Sequence, residues 1–216
     1  MTEIKICGIT DRDDALFAAE CGIAALGFIF YALSPRYVSP VKAREIMAAL
    51  PAEVAKVGVF VNQEIWEVER IADFCGLDFI QLHGDETPGY CRSFPASRLI
   101  KAFFLQNEQD LETLKSYPVQ AVLVDSRDAG RYGGTGKKAN WELALKAKDG
   151  QRLILSGGLS EENIAEALTL VSPAAVDLNS GVEIVPGRKD RGKIRRVVQI
   201  IESMGKGDGN GKIFVK

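Results

Sequence analysis

The residues best suited to chemistry in this chain come directly after short apolar runs. Cys7 ends the run that begins at Ile4, and Asp125 follows the run 121–124. An ionised cysteine can act as a base or a nucleophile. A carboxyl group in a partly apolar setting can act as a general acid. Taken alone, Cys7 is also compatible with the role of a small buried core residue, and Asp125 is also compatible with the role of a turn or helix-cap residue.

Three further polar residues lie near the ends of such runs. Arg36 belongs to the polar loop 34–38, and its guanidinium can hold a carboxylate through two parallel hydrogen bonds. Gln81 and His83 lie at the end of the run that begins at Phe79. The alternative interpretations are a solvated loop charge for Arg36 and a hydrogen-bonded loop residue for His83.

Two apolar runs, at 153–159 and 176–183, end in small residues that suit a bound phosphate group. Glycine lets the backbone approach an anion closely, and a helix N-terminus supplies N–H donors. In eight-fold βα barrels the loops after strands 7 and 8 often form a phosphate site. The small residues at these two ends are Gly157, Gly158, Asn179, Ser180 and Gly181.

The loop 126–138 is polar and glycine-rich, and its segment 133–138 superficially resembles a phosphate-binding P-loop. The first glycine of a P-loop is misplaced here, and Lys138 stands where Ser or Thr is required. A mobile lid is the better interpretation.

The elements that must position these residues alternate regularly along the chain. Apolar strands alternate with amphipathic helices at a spacing of roughly 20–33 residues, which indicates a parallel sheet. Eight such units favour a closed (β/α)8 TIM barrel of class α/β over an open sheet. The predicted strands are 4–7, 25–30, 56–61, 79–82, 98–103, 121–124 and the starts of 153–159 and 176–183.

Capping residues predict where some of the helices begin. Thr10 and Asp13 have capping-box spacing, Ser39 precedes Pro40, and Ser160 is the expected cap of the seventh helix. The last helix is predicted over 189–204, so residues 1–204 form one barrel domain. Residues 205–216 are predicted to be a flexible tail, with four glycines in 205–211 and an end that either docks or stays free.

Composition limits the classes of function. The 216-residue chain is 46% apolar and 26% charged, with a net charge of −2, which argues against broad electrostatic binding of nucleic acid. No apolar run approaches a membrane span, and the first residues do not resemble a targeting peptide, so a cytoplasmic protein is expected. Four cysteines without C-x-x-C spacing and a single histidine make a disulfide framework or a zinc site a poor prediction.

Seven segments in order, covering nearly the whole chain, carry a family resemblance. They are 5–10 (KICGIT), 27–30 with 34–40 (GFIF, SPRYVSP), 57–62 (VGVFVN), 81–86 (QLHGDE), 133–137 (GGTGK), 155–159 (LSGGL) and 177–183 (DLNSGVE), and the match continues to 186–190. With these segments the chain resembles the phosphoribosylanthranilate isomerase family of tryptophan biosynthesis. The residues after Met204 lie outside the pattern.

The resemblance implies an Amadori rearrangement of N-(5-phosphoribosyl)anthranilate to 1-(o-carboxyphenylamino)-1-deoxyribulose 5-phosphate. This is an internal redox change between two neighbouring sugar carbons, so it implies no cofactor and no metal. The implied partner is a small phosphorylated substrate, with no nucleic acid or membrane, and the implied state is a monomer or homodimer.

The resemblance also implies roles for individual residues. Cys7 is the implied general base, which requires a thiol pKa below the free value of about 8.5. Asp125 is the implied general acid and must keep its proton near neutral pH, and Arg36 is the implied partner of the anthranilate carboxylate. Gln81 and His83 are expected to line the pocket, and the phosphate is expected at Gly157, Gly158, Asn179, Ser180 and Gly181.

Other functions remain open from the sequence. A ribulose-phosphate epimerase uses a metal, which a single histidine serves poorly. An indole-glycerol-phosphate synthase needs a lysine at a strand end, but Lys5 and Lys101 lie inside predicted strands. A barrel that binds a sugar phosphate without turnover, or one that also isomerises a related ribonucleotide, is a further alternative.

Overall fold

The protein is described by a computed structural model that covers residues 1–126, 139–205 and 212–215. Its centre is a closed barrel of eight parallel strands in sequence order, with the last strand paired to the first. The predicted (β/α)8 barrel is therefore confirmed. The strands are β1 (Glu3–Ile6), β2 (Ala25–Ile29), β3 (Ala55–Phe60), β4 (Phe79–Leu82), β5 (Leu99–Phe103), β6 (Ala121–Val124), β7 (Leu153–Leu155) and β8 (Ala175–Leu178).

One helix follows each strand on the outside of the barrel. The helices are α1 (Arg12–Glu20), α2 (Pro40–Met47), α3 (Ile65–Cys75), α4 (Pro88–Cys91), α5 (Gln109–Leu114), α6 (Trp141–Ala147), α7 (Ile164–Val171) and α8 (Arg191–Ser203). Between β8 and α8 lie a 3₁₀ turn (Ser180–Val182) and a small antiparallel hairpin of β9 (Glu183–Val185) and β10 (Arg188–Lys189). The hairpin was not predicted. No helix among the described residues is long and apolar enough to cross a membrane.

The predicted helix starts are right at one of three positions. Ser39 caps α2 by accepting from the backbone N–H of Lys42, with Pro40 in the first turn. At α1 the cap is Asp11, because the hydroxyl of Thr10 instead donates to the carbonyl of Gly187 at 2.6 Å. The prediction that Thr10 starts this helix is therefore wrong.

The prediction that Ser160 caps the seventh helix is also wrong. A turn comes first, and Asn163 precedes the first residue of α7. The amide of Asn163 accepts from the N–H of Ser160 at 3.0 Å and donates to the carbonyl of Gly158 at 2.8 Å. The asparagine thus fixes the loop after β7 to the start of α7.

Alternate residues of each strand face different cores, as strand geometry requires. Ile4 and Ile6 of β1 pack between the barrel and the helices, whereas Lys5 points into the barrel. The carboxyl ends of the strands form what we call the mouth of the barrel, and the opposite end is its floor. The floor is lined by the first residues of five strands, Ala25, Ala55, Phe79, Ala121 and Ala175.

The tail predicted to be flexible is described over residues 212–215, and two of its residues lie against the floor. Ile213 is fully buried and Phe214 is 6% exposed. Both belong to the apolar cluster inside the barrel. Residues 206–211 lie outside the described part of the chain.

Candidate active site at the barrel mouth

The predicted site residues meet at the mouth, because each lies at or just after the carboxyl end of a strand. Cys7 follows β1, Arg36 lies in the loop after β2, and Asp125 follows β6. The others are Gln81 in β4, His83 directly after it, Gly157 and Gly158 after β7, and Asn179, Ser180 and Gly181 after β8. The predicted lid at 133–138 lies outside the described residues.

Cys7 is 5% exposed and belongs to a buried charged cluster. Lys5 lies two residues earlier, so both side chains point into the barrel. Its ammonium donates to Oδ2 of Asp177 at 2.8 Å and interacts electrostatically with Cys7. Lys5 has no exposed surface, which makes this ion pair a component of the barrel interior.

The thiol of Cys7 does not have the lowered pKa that was expected for it. Burial raises the pKa of Cys7, because a thiolate loses its hydration inside the barrel. The positive charges of Lys5 and Lys189 act in the opposite direction, and the negative charge of Asp177 adds to the effect of burial. The pKa of Lys5 is raised even though burial opposes this, since Asp177 and Cys7 both stabilise the ammonium.

Asp125 lies at the end of a chain of polar side chains on the other side of the mouth. The amide Nε2 of Gln81 is 2.9 Å from Nδ1 of His83, and Nε2 of His83 is 3.2 Å from Oδ2 of Asp125. Because the amide nitrogen of Gln81 donates, Nδ1 of His83 is the acceptor and Nε2 faces Asp125. The contact between His83 and Asp125 does not have the geometry of a hydrogen bond, so Nε2 of His83 has no hydrogen-bond partner among the described residues.

Arg36 is not a solvated loop residue but a buried one, 7% exposed, and it is bound by Glu183. Its Nε lies 2.9 Å from Oε1 of the carboxylate, and its Nη2 lies 2.7 Å from Oε2. The same carboxylate accepts from Nζ of Lys189 at 2.8 Å. The Nη1 group makes no hydrogen bond within the described chain, so it is available to a ligand.

Glu183 is thus a carboxylate between two buried cations. Burial alone would raise the pKa of Glu183, but its bonds to Arg36 and Lys189 outweigh burial and lower it. Burial lowers the pKa of Lys189, although Glu183 opposes this. Lys189 also donates to Oδ1 of Asn179 at 3.1 Å, which connects the hairpin to the loop after β8.

The loops after β7 and β8 approach each other as a phosphate site requires. A side chain on Gly181 would lie 2.0 Å from the carbonyl oxygen of Leu159, so only glycine fits there. Gly157 and Gly158 have positive φ values of 88° and 62°, which glycine adopts without strain. The N–H groups of Gly158, Ser180 and Gly181 donate to none of the described residues, so they are free to bind an anion.

Four charged residues of the mouth were missed by the sequence analysis as site residues: Lys5, Asp177, Glu183 and Lys189. Lys5 and Asp177 carry a signal that could have found them, since each interrupts an apolar strand at a position that faces the barrel interior. Glu183 and Lys189 carry no such signal, because they belong to the hairpin that was not predicted. Across residues 1–126, 139–205 and 212–215, no group of three His, Cys, Asp or Glu side chains could hold a metal ion.

Comparison with known proteins finds relatives that match almost the whole chain. The N-(5'-phosphoribosyl)anthranilate isomerase of Syntrophus aciditrophicus is 54% identical over 201 residues, covering 93% of this chain and 87% of that protein. A crystal structure of monomers of the dimeric enzyme from Thermotoga maritima has 40% identity and a TM-score of 0.82, covering 94% of this chain and 99% of that one.

A second crystal structure contains an isomerase of this kind in complex with reduced 1-(o-carboxyphenylamino)-1-deoxyribulose 5-phosphate. It has 41% identity and a TM-score of 0.83, and the match covers 94% of this chain and all of that one. The family profile described as N-(5'phosphoribosyl)anthranilate (PRA) isomerase matches residues 4–200. The chain therefore belongs to the phosphoribosylanthranilate isomerase family.

Proposed function

We propose that Cys7 and Asp125 are the general base and the general acid with which this enzyme carries out the isomerisation of its family. The observation that carries the proposal is that both lie at the mouth, directly after the carboxyl ends of β1 and β6. Asp177, paired with Lys5 beside Cys7, also interacts electrostatically with Asp125 and His83. An acid and a base in one pocket are what this rearrangement needs.

The first step assigned to Asp125 is transfer of its proton to the furanose ring oxygen of the substrate. The bond between that oxygen and C1′ breaks, and the nitrogen lone pair forms an iminium with C1′. His83 lies 3.2 Å from the carboxyl group, and the N–H of Ser126 donates to Oδ1 at 2.7 Å. The hydrogen bond from Ser126 orients the carboxyl group.

The second step assigned to Cys7 is removal of the hydrogen from C2′, which the iminium has acidified. The electron pair of the C–H bond forms the C1′–C2′ double bond of an enolamine. Protonation at C1′ and loss of the O2′ proton then give the ketone, so no external oxidant or reductant takes part. Lys5 supports the thiolate form of Cys7 that this step requires.

Binding groups hold both ends of the substrate in this proposal. Arg36, fixed by Glu183, offers Nη1 to the anthranilate carboxylate. The backbone of Gly157, Gly158, Ser180 and Gly181 holds the phosphate. Fixing both ends supplies the proximity that a two-step proton transfer needs.

The test is turnover of phosphoribosylanthranilate, followed by the loss of its fluorescence, with EDTA present. Cys7→Ala and Asp125→Asn should each lower kcat by orders of magnitude, since each removes one proton-transfer group. Cys21→Ala is the matched control, because Cys21 lies at the end of α1, far from the mouth, and should leave kcat unchanged. Wild-type activity in Cys7→Ala would mean that another group is the base.

We also infer a cytoplasmic location for this biosynthetic enzyme. All four cysteines are free, which is typical of proteins from a reducing compartment. One relative is described as dimeric, and we expect this chain to be a monomer or a homodimer. Light scattering distinguishes the two states by their mass in solution.

A further inference from the structure

The floor of the barrel holds a part of the chain that the isomerase family match does not include. The family profile ends at residue 200, and residues 212–215 lie beyond it. Nothing in the proposed chemistry uses them, because they lie at the end opposite the mouth. They nevertheless make apolar contacts and hydrogen bonds with the floor, as a bound peptide does.

Two kinds of contact hold the segment. The ring of Phe214 packs edge-on against the ring of Phe79, with centroids 5.7 Å apart and an interplanar angle of 88°. The backbone N–H groups of Ile213 and Phe214 both donate to Oε2 of Glu3, at 2.6 and 3.2 Å. The first contact recognises an aromatic side chain, and the second recognises a bend in the backbone, in which two successive N–H groups point to the same oxygen.

The shape of the floor explains why there is room for the segment. Four of the five strands that line it begin with alanine, and all four alanines are fully buried. Small side chains at that level leave a pit inside the ring of strands, and the side chains of Ile213 and Phe214 occupy it. An empty pit would expose this apolar surface to water.

The connection is short enough for the segment to come from the same molecule. In a βα barrel each helix runs opposite to the strands, so α8 ends on the side of the floor. Gly205 and Lys212 are seven residues apart, which spans up to about 25 Å of extended chain. The last helix can therefore deliver the segment to the floor of its own barrel.

We propose that the floor of the barrel is a peptide-binding site and that its ligand is the chain's own segment 212–215, docked within the same molecule as a plug. The plug completes the apolar core at the end of the barrel that takes no part in catalysis. Its role is to stabilise the fold, and the isomerase reaction does not depend on it.

The test compares two full-length variants with the wild type. Ile213→Ser with Phe214→Ser removes the plug side chains, and Val215→Ser is the matched control because Val215 is 61% exposed. The double variant should lose roughly 5–10 °C in Tm, while kcat and KM stay within twofold of wild type. The control should keep the Tm of wild type.

A synthetic peptide with the sequence 205–216 then tests the site itself. It should bind the double variant saturably and restore its Tm, whereas the same peptide with both serines should not. Glu3→Gln, introduced into the double variant, should weaken binding of the wild-type peptide, because an amide accepts less strongly than a carboxylate.

Two results would overturn the proposal. One is a double variant with unchanged Tm that binds no peptide, which would mean that the segment does not stabilise the floor. The other is a wild-type Tm that rises with protein concentration together with a dimeric mass by light scattering that the double variant loses. That result would mean that the segment fills the floor of a second copy instead.

Discussion

The mouth and the floor of the barrel are made by the same eight strands, yet their interiors differ in kind. Toward the mouth the interior contains charged and polar side chains, including Lys5, Gln81 and Asp177, all buried. At the floor it contains alanines, Phe79 and the plug. Buried ionic groups cost desolvation energy, whereas buried apolar groups stabilise the fold. The difference indicates that the floor stabilises the fold, whereas the mouth contains destabilising buried charges that serve the reaction.

The largest effect is expected from replacing the buried ion pair of the mouth by apolar residues, Lys5→Met with Asp177→Leu. Lys5 lowers the pKa of Cys7 by more than Asp177 raises it, so removing both charges raises the thiol pKa further. At pH 7 kcat/KM should fall roughly 100-fold. The acidic limb of the pH profile of kcat/KM should move to higher pH. The Tm should stay the same or rise, because apolar replacements of buried ion pairs are often neutral or stabilising.

Alkylation of Cys7 by iodoacetamide measures the same pKa without catalysis. The control pair is Lys101→Met with Glu86→Gln, since Lys101 is also a buried lysine and lies 3.2 Å from a carboxylate. Alkylation in the control should follow the wild-type pH profile. Equal shifts in both variants would show that Lys5 has no specific effect on the thiol.

The next effect concerns Glu183→Gln, which leaves the buried cations Arg36 and Lys189 without their carboxylate. KM should rise roughly 10- to 100-fold, because Arg36 loses the partner that orients it. The free energy of unfolding should fall by about 3–5 kcal/mol at pH 7. kcat should change less than KM, since Glu183 is a positioning residue and does not touch the reacting atoms.

The pH dependence of that stability difference follows from the lowered pKa of Glu183 in the folded state. The carboxylate stabilises the fold fully above its unfolded pKa of about 4.3, and this contribution is lost as the pH falls through the lower folded value. The Tm difference from wild type should thus be constant near neutral pH and shrink below about pH 4. Glu161→Gln, which breaks only the exposed pair with Arg196, should show almost no Tm difference at any pH.

The parts of this molecule that follow a repeating pattern were predictable from the sequence. Strands and helices alternate eight times, so the barrel and the end at which Cys7 and Asp125 lie could be inferred. Helix caps were less predictable, because a distant partner decides them. Thr10 donates to Gly187, which is 177 residues away, and no local pattern contains that contact.

The charged partners in the mouth were not predictable for the same reason. Glu183 and Arg36 are 147 residues apart, and only the closure of the barrel brings them together. The expected low pKa of Cys7 was wrong because the sequence shows a nearby helix start but not the depth of burial. Desolvation is a property of the folded interior, and here it outweighs the nearby positive charges.

A smaller effect on activity is expected from Gly181→Ala. The added methyl group would meet the carbonyl of Leu159 and push the two phosphate-binding loops apart. KM should rise roughly tenfold, and the inhibition constant of inorganic phosphate should rise with it. Gly89→Ala is the control, since a methyl group there would lie 3.6 Å from Thr87, an ordinary contact. An unchanged phosphate inhibition constant in Gly181→Ala would place the phosphate elsewhere.

The smallest effect on activity is expected at the apolar end of the barrel. Ile154 of β7 is fully buried in the same interior cluster as the plug. Ile154→Val should lower the free energy of unfolding by about 0.5–1.5 kcal/mol through the lost methylene group. kcat/KM should stay at the wild-type value, because this side chain belongs to the apolar cluster that holds the plug. A clear fall in kcat/KM of the folded Ile154→Val variant would show that the two ends are coupled and that the division between them is wrong.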